Sequence, residues 1–135
     1  MTDLELIDAA KEASRQSYSP YSKFKVGAAL LSEDGSLYKG CNVENASYGA
    51  TCCAERTALF TAVADGKRRF SKLAVAGSSD GTFAIITQPC GVCLQALSEF
   101  CSGEFEVLLT DKIGIRKMKL SDYLPYPFEK ASMEG

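Results

Sequence analysis

The stretch Cys53-Ala54-Glu55 is the point around which the rest of the sequence is organised, and Pro89-Cys90-Gly91-Val92-Cys93 is its counterpart later in the chain. Each stretch opens a run of good helix formers, so we predict helices over residues 53–65 and 90–101. A helix N-terminus carries a partial positive charge, which lowers thiol pKa values and favours the thiolate. The sequence therefore predicts three thiolates at the starts of two helices.

The segments around these helices predict an α/β fold. A T-x-x-E pattern at Thr2 and Glu5 is typical of a helix start, and we predict a first helix over residues 3–17 that Pro20 ends. Its apolar face is largely alanine, so it should pack closely on its neighbours. Apolar runs predict strands at 25–31 and 36–43 (a hairpin), 73–76, 83–86, 105–110 and 115–120. We expect residues 1–135 to form a single domain, a three-layer α/β/α sandwich with a mixed sheet of about five strands.

Composition limits the classes of function. Hydrophobic residues make up 46% and charged residues 24% of the 135 residues, which is typical of a globular protein. The net charge of −2 offers no electrostatic basis for holding nucleic acid. No apolar run approaches the ~18 residues of a membrane span, and the N-terminus is unlike a signal peptide. We therefore expect a cytoplasmic protein with no nucleic-acid or membrane partner.

Six cysteines and no histidine define the chemistry available to the chain. Reduced thiols without a secretion signal favour metal binding or catalysis over disulfides. Cys53, Cys90 and Cys93 are the candidate ligands of one zinc ion, and three ligands leave open the fourth position that catalytic zinc sites keep for water. Two alternatives remain at this point: a redox C-x-x-C pair, or a closed structural site with Cys41 or Cys52 as fourth ligand.

Glu55 and Arg56 follow the first candidate ligand directly. A carboxylate beside a zinc-bound water suits general acid/base catalysis, although a helix start also favours an acid for its dipole alone. Three thiolates outweigh the charge of zinc, and Arg56 donating to their sulfurs would offset the excess. Alternatively, Arg56 is a surface residue paired with an acid. The remaining cysteine, Cys101, reads as a small hydrophobe.

Four motifs, in this order and at these spacings, resemble the zinc-dependent nucleoside and nucleotide deaminases, and most closely the short, single-domain cytidine deaminases. They are Tyr18-Ser19-Pro20-Tyr21-Ser22-Lys23-Phe24-Lys25-Val26-Gly27-Ala28-Ala29, Asn42-Val43-Glu44-Asn45-Ala46, Cys53-Ala54-Glu55-Arg56 and Pro89-Cys90-Gly91-Val92-Cys93. The resemblance covers roughly residues 18–100, with Leu124-Pro125 near the end.

The resemblance implies a role for each matching position. The three cysteines bind Zn²⁺, one ion per subunit, and Glu55 carries protons. Asn42 and Glu44 hold the ribose hydroxyls, Phe24 packs on the pyrimidine ring, and the Ala54 backbone orients the base. The implied reaction is hydrolysis of cytidine, and of 2′-deoxycytidine, to the uracil nucleoside and ammonia, in pyrimidine salvage. Glu44 near the sugar would repel a phosphate, which favours nucleosides over nucleotides.

The resemblance further implies a homotetramer in which an aromatic residue from a neighbour's C-terminal part closes the pocket. Phe128 is our candidate for that residue and Tyr126 the rival, while packing of the tail on its own subunit is an equal alternative. One departure stands out: Leu94 occupies the position after the last zinc ligand, where family members often carry arginine. Any charge compensation from that side is therefore missing, which leaves Arg56 alone in that role.

Two other functions fit part of the pattern. An antibiotic deaminase of the blasticidin type also uses C-A-E and P-C-x-x-C at a similar length, but Phe24 and the Asn42–Asn45 segment favour a nucleoside. A structural zinc module that binds a partner would need a fourth protein ligand and would have no hydrolytic activity. A polynucleotide editor would need a basic channel that the sequence does not indicate.

Overall fold

A five-stranded mixed sheet forms the middle layer of the computed structural model, which describes residues 1–134. Its strands are β1 (Lys25–Ser32), β2 (Leu37–Cys41), β3 (Phe70–Ser78), β4 (Glu106–Thr110) and β5 (Ile115–Lys119). They lie in the order β2-β1-β3-β4-β5. Strands β3 and β4 pair in parallel, and the other neighbours pair antiparallel.

Helices cover both faces of the sheet. Helix α1 (Asp3–Ser14) lies on one face, and α2 (Ala54–Ala64) and α3 (Gly91–Ser98) lie on the other. The short helices α4 (Leu120–Tyr123) and α5 (Lys130–Glu134) follow β5, and a 3-10 turn spans Tyr48–Ala50. The fold is thus the predicted α/β/α sandwich. Among residues 1–134 no helix combines the length and apolar character that crossing a bilayer would require.

The two-residue period of the strands separates two hydrophobic cores. Ala28 and Leu30 face the core under α2 and α3, while Ala29 between them faces α1. The same alternation places Val107 and Leu109 on one side of β4 and Leu108 on the other. Burial on both faces explains why these strands are almost continuously apolar in sequence.

Two glycines in the hairpin let helix backbones approach the sheet. A Cβ atom on Gly27 would lie 1.9 Å from the carbonyl oxygen of Ala10 in α1. A Cβ atom on Gly40 would lie 2.4 Å from the backbone nitrogen of Ala58 in α2. Close packing of α1 is therefore confirmed, because small residues on both sides bring helix and strand into backbone contact.

The placement of α2 and α3 brings their N-termini together. Each of these helices leads into a strand of the parallel pair, α2 into β3 and α3 into β4. Two helices that precede neighbouring parallel strands on one face begin at the same edge of the sheet. The connection from β3 through α3 to β4 is the crossover that a parallel pair requires.

The predicted strand over residues 83–86 is wrong. This segment belongs to the irregular connection between β3 and α3. Phe83 has a φ of 52° and Gly81 a φ of 86°, so the backbone turns at the point where a strand would have to begin. Phe83 packs towards α1 and Ile86 towards the other core, while Ile85 is 80% exposed. The first helix also ends at Ser14, three positions before the predicted end.

Candidate active site

Cys53, Cys90 and Cys93 form a cluster at the joined N-termini of α2 and α3. Their sulfur atoms all lie within 4.8 Å of one another, with 3.6 Å between Cys53 and Cys90 and 3.4 Å between Cys90 and Cys93. Cys53 and Cys90 are the N-cap residues of the two helices, and Cys93 lies in the first turn of α3. Cys93 is fully buried and Cys90 is exposed, so the cluster is open on one side.

The electrostatics of the cluster favour a thiolate. Hydrogen bonds from Cys93 and from Arg56 lower the pKa of Cys53 to about 5. The bond shared with Cys53, together with burial, raises the pKa of Cys93. Three sulfur donors at this spacing suit one zinc ion, since thiolate is a preferred zinc ligand. Within residues 1–134, neither Cys41 nor Cys52 joins the cluster, which leaves a fourth position free for a water or a substrate.

Glu55 is buried beside the cluster. It lies in the first turn of α2 and is 4% exposed. Burial raises the pKa of its carboxyl group, and hydrogen bonds that the carboxylate accepts from the backbone and from the Cys93 thiol oppose that shift. A carboxyl group with a raised pKa at the edge of a metal-ligand cluster is suited to taking up and releasing a proton.

Arg56 points its guanidinium group at the first cysteine of the cluster. Its Nη2 atom lies 3.5 Å from the Cys53 sulfur and 3.5 Å from the Thr51 carbonyl oxygen. The bond to Cys53 raises the pKa of Arg56, so the side chain stays a cation. Its Nε atom is buried without a partner in the part of the chain that the structure describes. The structure therefore places Arg56 against a sulfur ligand and not in a surface ion pair.

Asn42 is a buried side chain that also braces the neighbouring loop. Its Oδ1 atom accepts hydrogen bonds from the Val26 N–H at 3.0 Å and from the Ser17 hydroxyl. Its Nδ2 atom donates to the Phe24 carbonyl oxygen at 2.9 Å. Because an amide nitrogen carries two hydrogens, one donor of Asn42 remains for a ligand.

Glu44 stands on the same loop and is held by three donors. Oε1 accepts from the backbone N–H groups of Tyr21 and Ser22, each at 3.0 Å, and Oε2 accepts from the Ser22 hydroxyl. The Ser22 side chain, followed by the backbone N–H groups, lowers the pKa of Glu44, so the carboxylate stays ionised. Asn42 and Glu44 thus present a hydrogen-bond donor and an anionic acceptor from one loop.

The other predicted site residues differ in how far they are buried. Phe24 is 37% exposed and lies against Gly77, where an added Cβ atom would come within 2.8 Å of its ring. Ala54 is fully buried and is the first residue of α2, next to Cys53. Phe128 lies on the C-terminal tail and is 60% exposed, and Tyr126 is 91% exposed. No residue within 1–134 covers either aromatic ring completely.

The reading of the sequence missed the residues that hold these side chains. Ser17 donates a hydrogen bond to Asn42, and Ser22 donates one to Glu44. Gln95 donates one to the backbone of Phe128. Ser22 falls within the first of the four motifs, yet serine is so common in loops that its type alone carries no signal. Gln95 follows the unusual Leu94, and its contact depends on a tail whose path the sequence does not predict.

Comparison with known proteins gives a consistent assignment. The family model described as the cytidine and deoxycytidylate deaminase zinc-binding region matches residues 1–109. A cytidine deaminase of Sporosarcina psychrophila is 48% identical over 130 residues, which cover 96% of this chain and 93% of that protein. A cytidine deaminase of Halalkalibacterium halodurans is 43% identical, with 95% of each chain covered.

Solved structures agree with the sequence relatives. The crystal structure of a cytidine deaminase from Burkholderia pseudomallei has a TM-score of 0.87 and 48% identity, and the match covers 95% of this chain and 100% of that one. A cytidine deaminase from Mycobacterium tuberculosis has a TM-score of 0.79 and 38% identity, with coverage of 95% and 98%. The match to the family model, the sequence relatives and the fold all agree: the chain belongs to the zinc-dependent cytidine and deoxycytidylate deaminase family.

Proposed function

We propose that this protein is a cytidine deaminase that hydrolyses cytidine and 2′-deoxycytidine to uridine and deoxyuridine, with release of ammonia. The observation that carries the proposal is the buried Glu55 carboxyl group beside the open cluster of three cysteine sulfurs. This arrangement provides a metal-ligand set with a free position and a proton carrier in contact with it. The names of relatives at 43–48% identity support the choice of cytidine as substrate.

The cysteines and Glu55 divide the chemistry between them. Cys53, Cys90 and Cys93 would hold the zinc ion, which when bound would lower the pKa of a water and so provide the nucleophile. Glu55 would take one proton of the attacking water and deliver it to the pyrimidine ring nitrogen, and would then carry the second proton of that water to the departing amine, which leaves as ammonia. Burial of Glu55 serves these steps, because a raised pKa brings the carboxyl group closer to the operating pH.

The loop of Asn42 and Glu44 provides recognition of the sugar. The remaining amide N–H of Asn42 donates to a ribose hydroxyl, and the Glu44 carboxylate accepts from one. Phe24 packs on the pyrimidine ring, and the backbone of Ala54 orients the base. The ionised Glu44 also disfavours a 5′-phosphate nearby by charge repulsion, so nucleosides are preferred to nucleotides.

Replacement of Glu44 by glutamine tests the sugar contact. We expect KM for cytidine to rise about 10-fold or more, because hydrogen bonds to charged groups contribute roughly 1.5–3 kcal/mol. The value of kcat should change less, since Glu44 does not touch the reacting atoms. Steady-state kinetics on cytidine measure both constants, with Glu33→Gln, an exposed glutamate of the hairpin turn, as the control. An unchanged KM for Glu44→Gln would count against the sugar contact.

Arg56→Gln tests the charge balance of the cluster. Glutamine keeps a donor near Cys53 but removes the positive charge, so we expect zinc affinity or kcat to fall by about 10–100-fold, as for other partners of metal ligands. Competition with a chromogenic chelator measures affinity, and cytidine turnover measures kcat. Arg69→Gln, at an exposed arginine after α2, is the matched control. Wild-type values of both quantities for Arg56→Gln would refute the proposed role.

Assembly, domain and compartment complete the proposal. We infer that residues 1–135 act as one deaminase-like domain, which the sharing of one sheet by both cores supports.

We propose a homotetramer in which Phe128 of a neighbouring copy closes the pocket, supported by the 60% exposure of its ring. The six free cysteines fit a reducing cytoplasm, where the enzyme would serve pyrimidine salvage.

The direct test is an absorbance assay. Incubation of cytidine with zinc-replete protein should lower the ultraviolet absorbance of the substrate. The amount of ammonium released should equal the amount of cytidine consumed. Removal of zinc with a chelator should stop both signals, and restored zinc should return them. Parallel reactions with deoxycytidine, cytidine monophosphate and blasticidin S determine the substrate class. Turnover of blasticidin S without turnover of cytidine would replace the proposed substrate, and no turnover in zinc-replete protein would favour a structural zinc module.

A further inference from the structure

The C-terminal tail loses its hydrophobic anchorage before it reaches Phe128. Tyr123 and Leu124 still pack against the core under α2 and α3. Beyond them Tyr126 is 91% and Phe128 60% exposed, and α5 has no buried residue. Buried apolar area therefore does not hold the chain in place at Phe128, and polar contacts must account for its position.

Gln95 supplies those contacts. Its Nε2 atom donates to the Phe128 carbonyl oxygen at 2.7 Å, and the Phe128 N–H donates to its Oε1 atom at 3.4 Å. Both ends of one carboxamide thus pair with the backbone of a single residue, much as a neighbouring strand would. Gln95 is half-buried on α3, two positions after Cys93.

A second glutamine holds the start of the same tail. The Tyr123 hydroxyl donates to the Oε1 atom of Gln88 at 2.6 Å. Gln88 lies two positions before Cys90, so the two glutamines flank the Cys90–Cys93 segment. The tail from Tyr123 to Phe128 is consequently tied at both ends to the part of the chain that carries two of the three sulfurs.

We propose that Gln95 is a positioning residue of the deaminase, which holds the Phe128 backbone and thereby sets where the Phe128 ring meets the substrate pocket. The inference rests on the proposed function, in which Phe128 closes a pocket. It also chooses between the two tail aromatics, because Phe128 has a fixed backbone while Tyr126 projects into solvent. If the Phe128 ring is already in position before the substrate binds, less conformational entropy is lost on binding. We therefore expect Gln95 to affect substrate affinity.

The test is a double-mutant cycle on KM. Gln95→Met keeps the length of the side chain but removes both hydrogen bonds. We expect KM for cytidine to rise about fivefold, the net effect of the 2.7 Å bond, because the 3.4 Å bond is long and weak. In a Phe128→Ala background the same substitution should leave KM unchanged, because its effect passes through the ring. Gln16→Met, at an exposed glutamine after α1, is the matched control. An equal rise of KM in both backgrounds, or none in either, would overturn the proposal.

Amide hydrogen exchange gives a readout that does not depend on activity. The peptide covering residues 124–134 should exchange faster in Gln95→Met than in the wild type, while zinc content stays at one per chain. Unchanged exchange would refute the tether, and lost zinc would assign the effect to the metal site instead. If the wild type does not deaminate cytidine, the proposed function fails, and the exchange experiment still decides whether Gln95 holds the tail.

Discussion

Glu55→Gln should lower kcat for cytidine by about 10²–10⁴-fold, the usual contribution of a positioned general acid/base group. Glutamine has nearly the same shape as glutamate, so it fills the buried space that Glu55 occupies without leaving a cavity. The side chain can no longer carry a proton between water, ring and leaving amine. The zinc content should stay at one per chain, because the three sulfurs are unchanged.

Steady-state turnover and metal analysis on the same preparation separate these effects. Glu99→Gln is the matched control, since Glu99 is an exposed glutamate at the end of α3. A low kcat with full zinc would assign the loss to proton transfer. A kcat within threefold of the wild type would remove Glu55 from the mechanism, and a loss of zinc would give it a structural role at the cluster.

Cys93→Ala should abolish stoichiometric zinc binding and, with it, turnover of cytidine. Cys93 is fully buried within 4.8 Å of the other two sulfurs, so no water or neighbouring side chain readily takes its place. Loss of a partner outside the first coordination sphere already costs about 10–100-fold in affinity, and the loss of a ligand should exceed that range. Elemental analysis after dialysis, and chelator competition before it, measure the effect.

Cys52→Ala is the informative control for this substitution. Cys52 is adjacent to Cys53 but lies outside the cluster, and burial raises the pKa of its thiol. We expect this variant to keep one zinc per chain and its activity. If Cys93→Ala retained zinc and Cys52→Ala lost it, Cys52 and not Cys93 would be the zinc ligand.

The elements that carry the cluster were predictable because local signals and chemistry coincide in them. Helices that start at Cys53 and Cys90, the hairpin around the Glu33–Gly35 turn and the buried strand β3 all follow from periodicity and turn residues. The zinc cofactor could also be predicted from the sequence. A chain without histidine must bind such an ion largely through its cysteines. The family model of a zinc-binding region is consistent with it.

The parts that sequence failed to predict depend on tertiary contacts. Residues 83–86 have strand-like composition, yet φ is positive at Gly81 and at Phe83, which turns the backbone away from a strand. Ile85 is exposed, although a strand would place it on the same face as the packed Phe83. The burial of Asn42 against Val26 and Phe24 follows from the strand pairing around it, which its position in the sequence does not indicate. The role of Gln95 depends on the path of a tail rich in proline, which has no periodic pattern to predict it.

Because Cys53 and Cys90 are far apart along the chain, zinc bound by both should also stabilise the folded protein. These residues are 37 positions apart, and the segment between them contains α2 and β3. An ion shared by them is a cross-link that closes a long loop, and the chain-entropy relation assigns roughly 4 kcal/mol to a cross-link of this span. Chelation should therefore weaken resistance to heat as well as catalysis, so that the supply of zinc governs how long the folded protein survives.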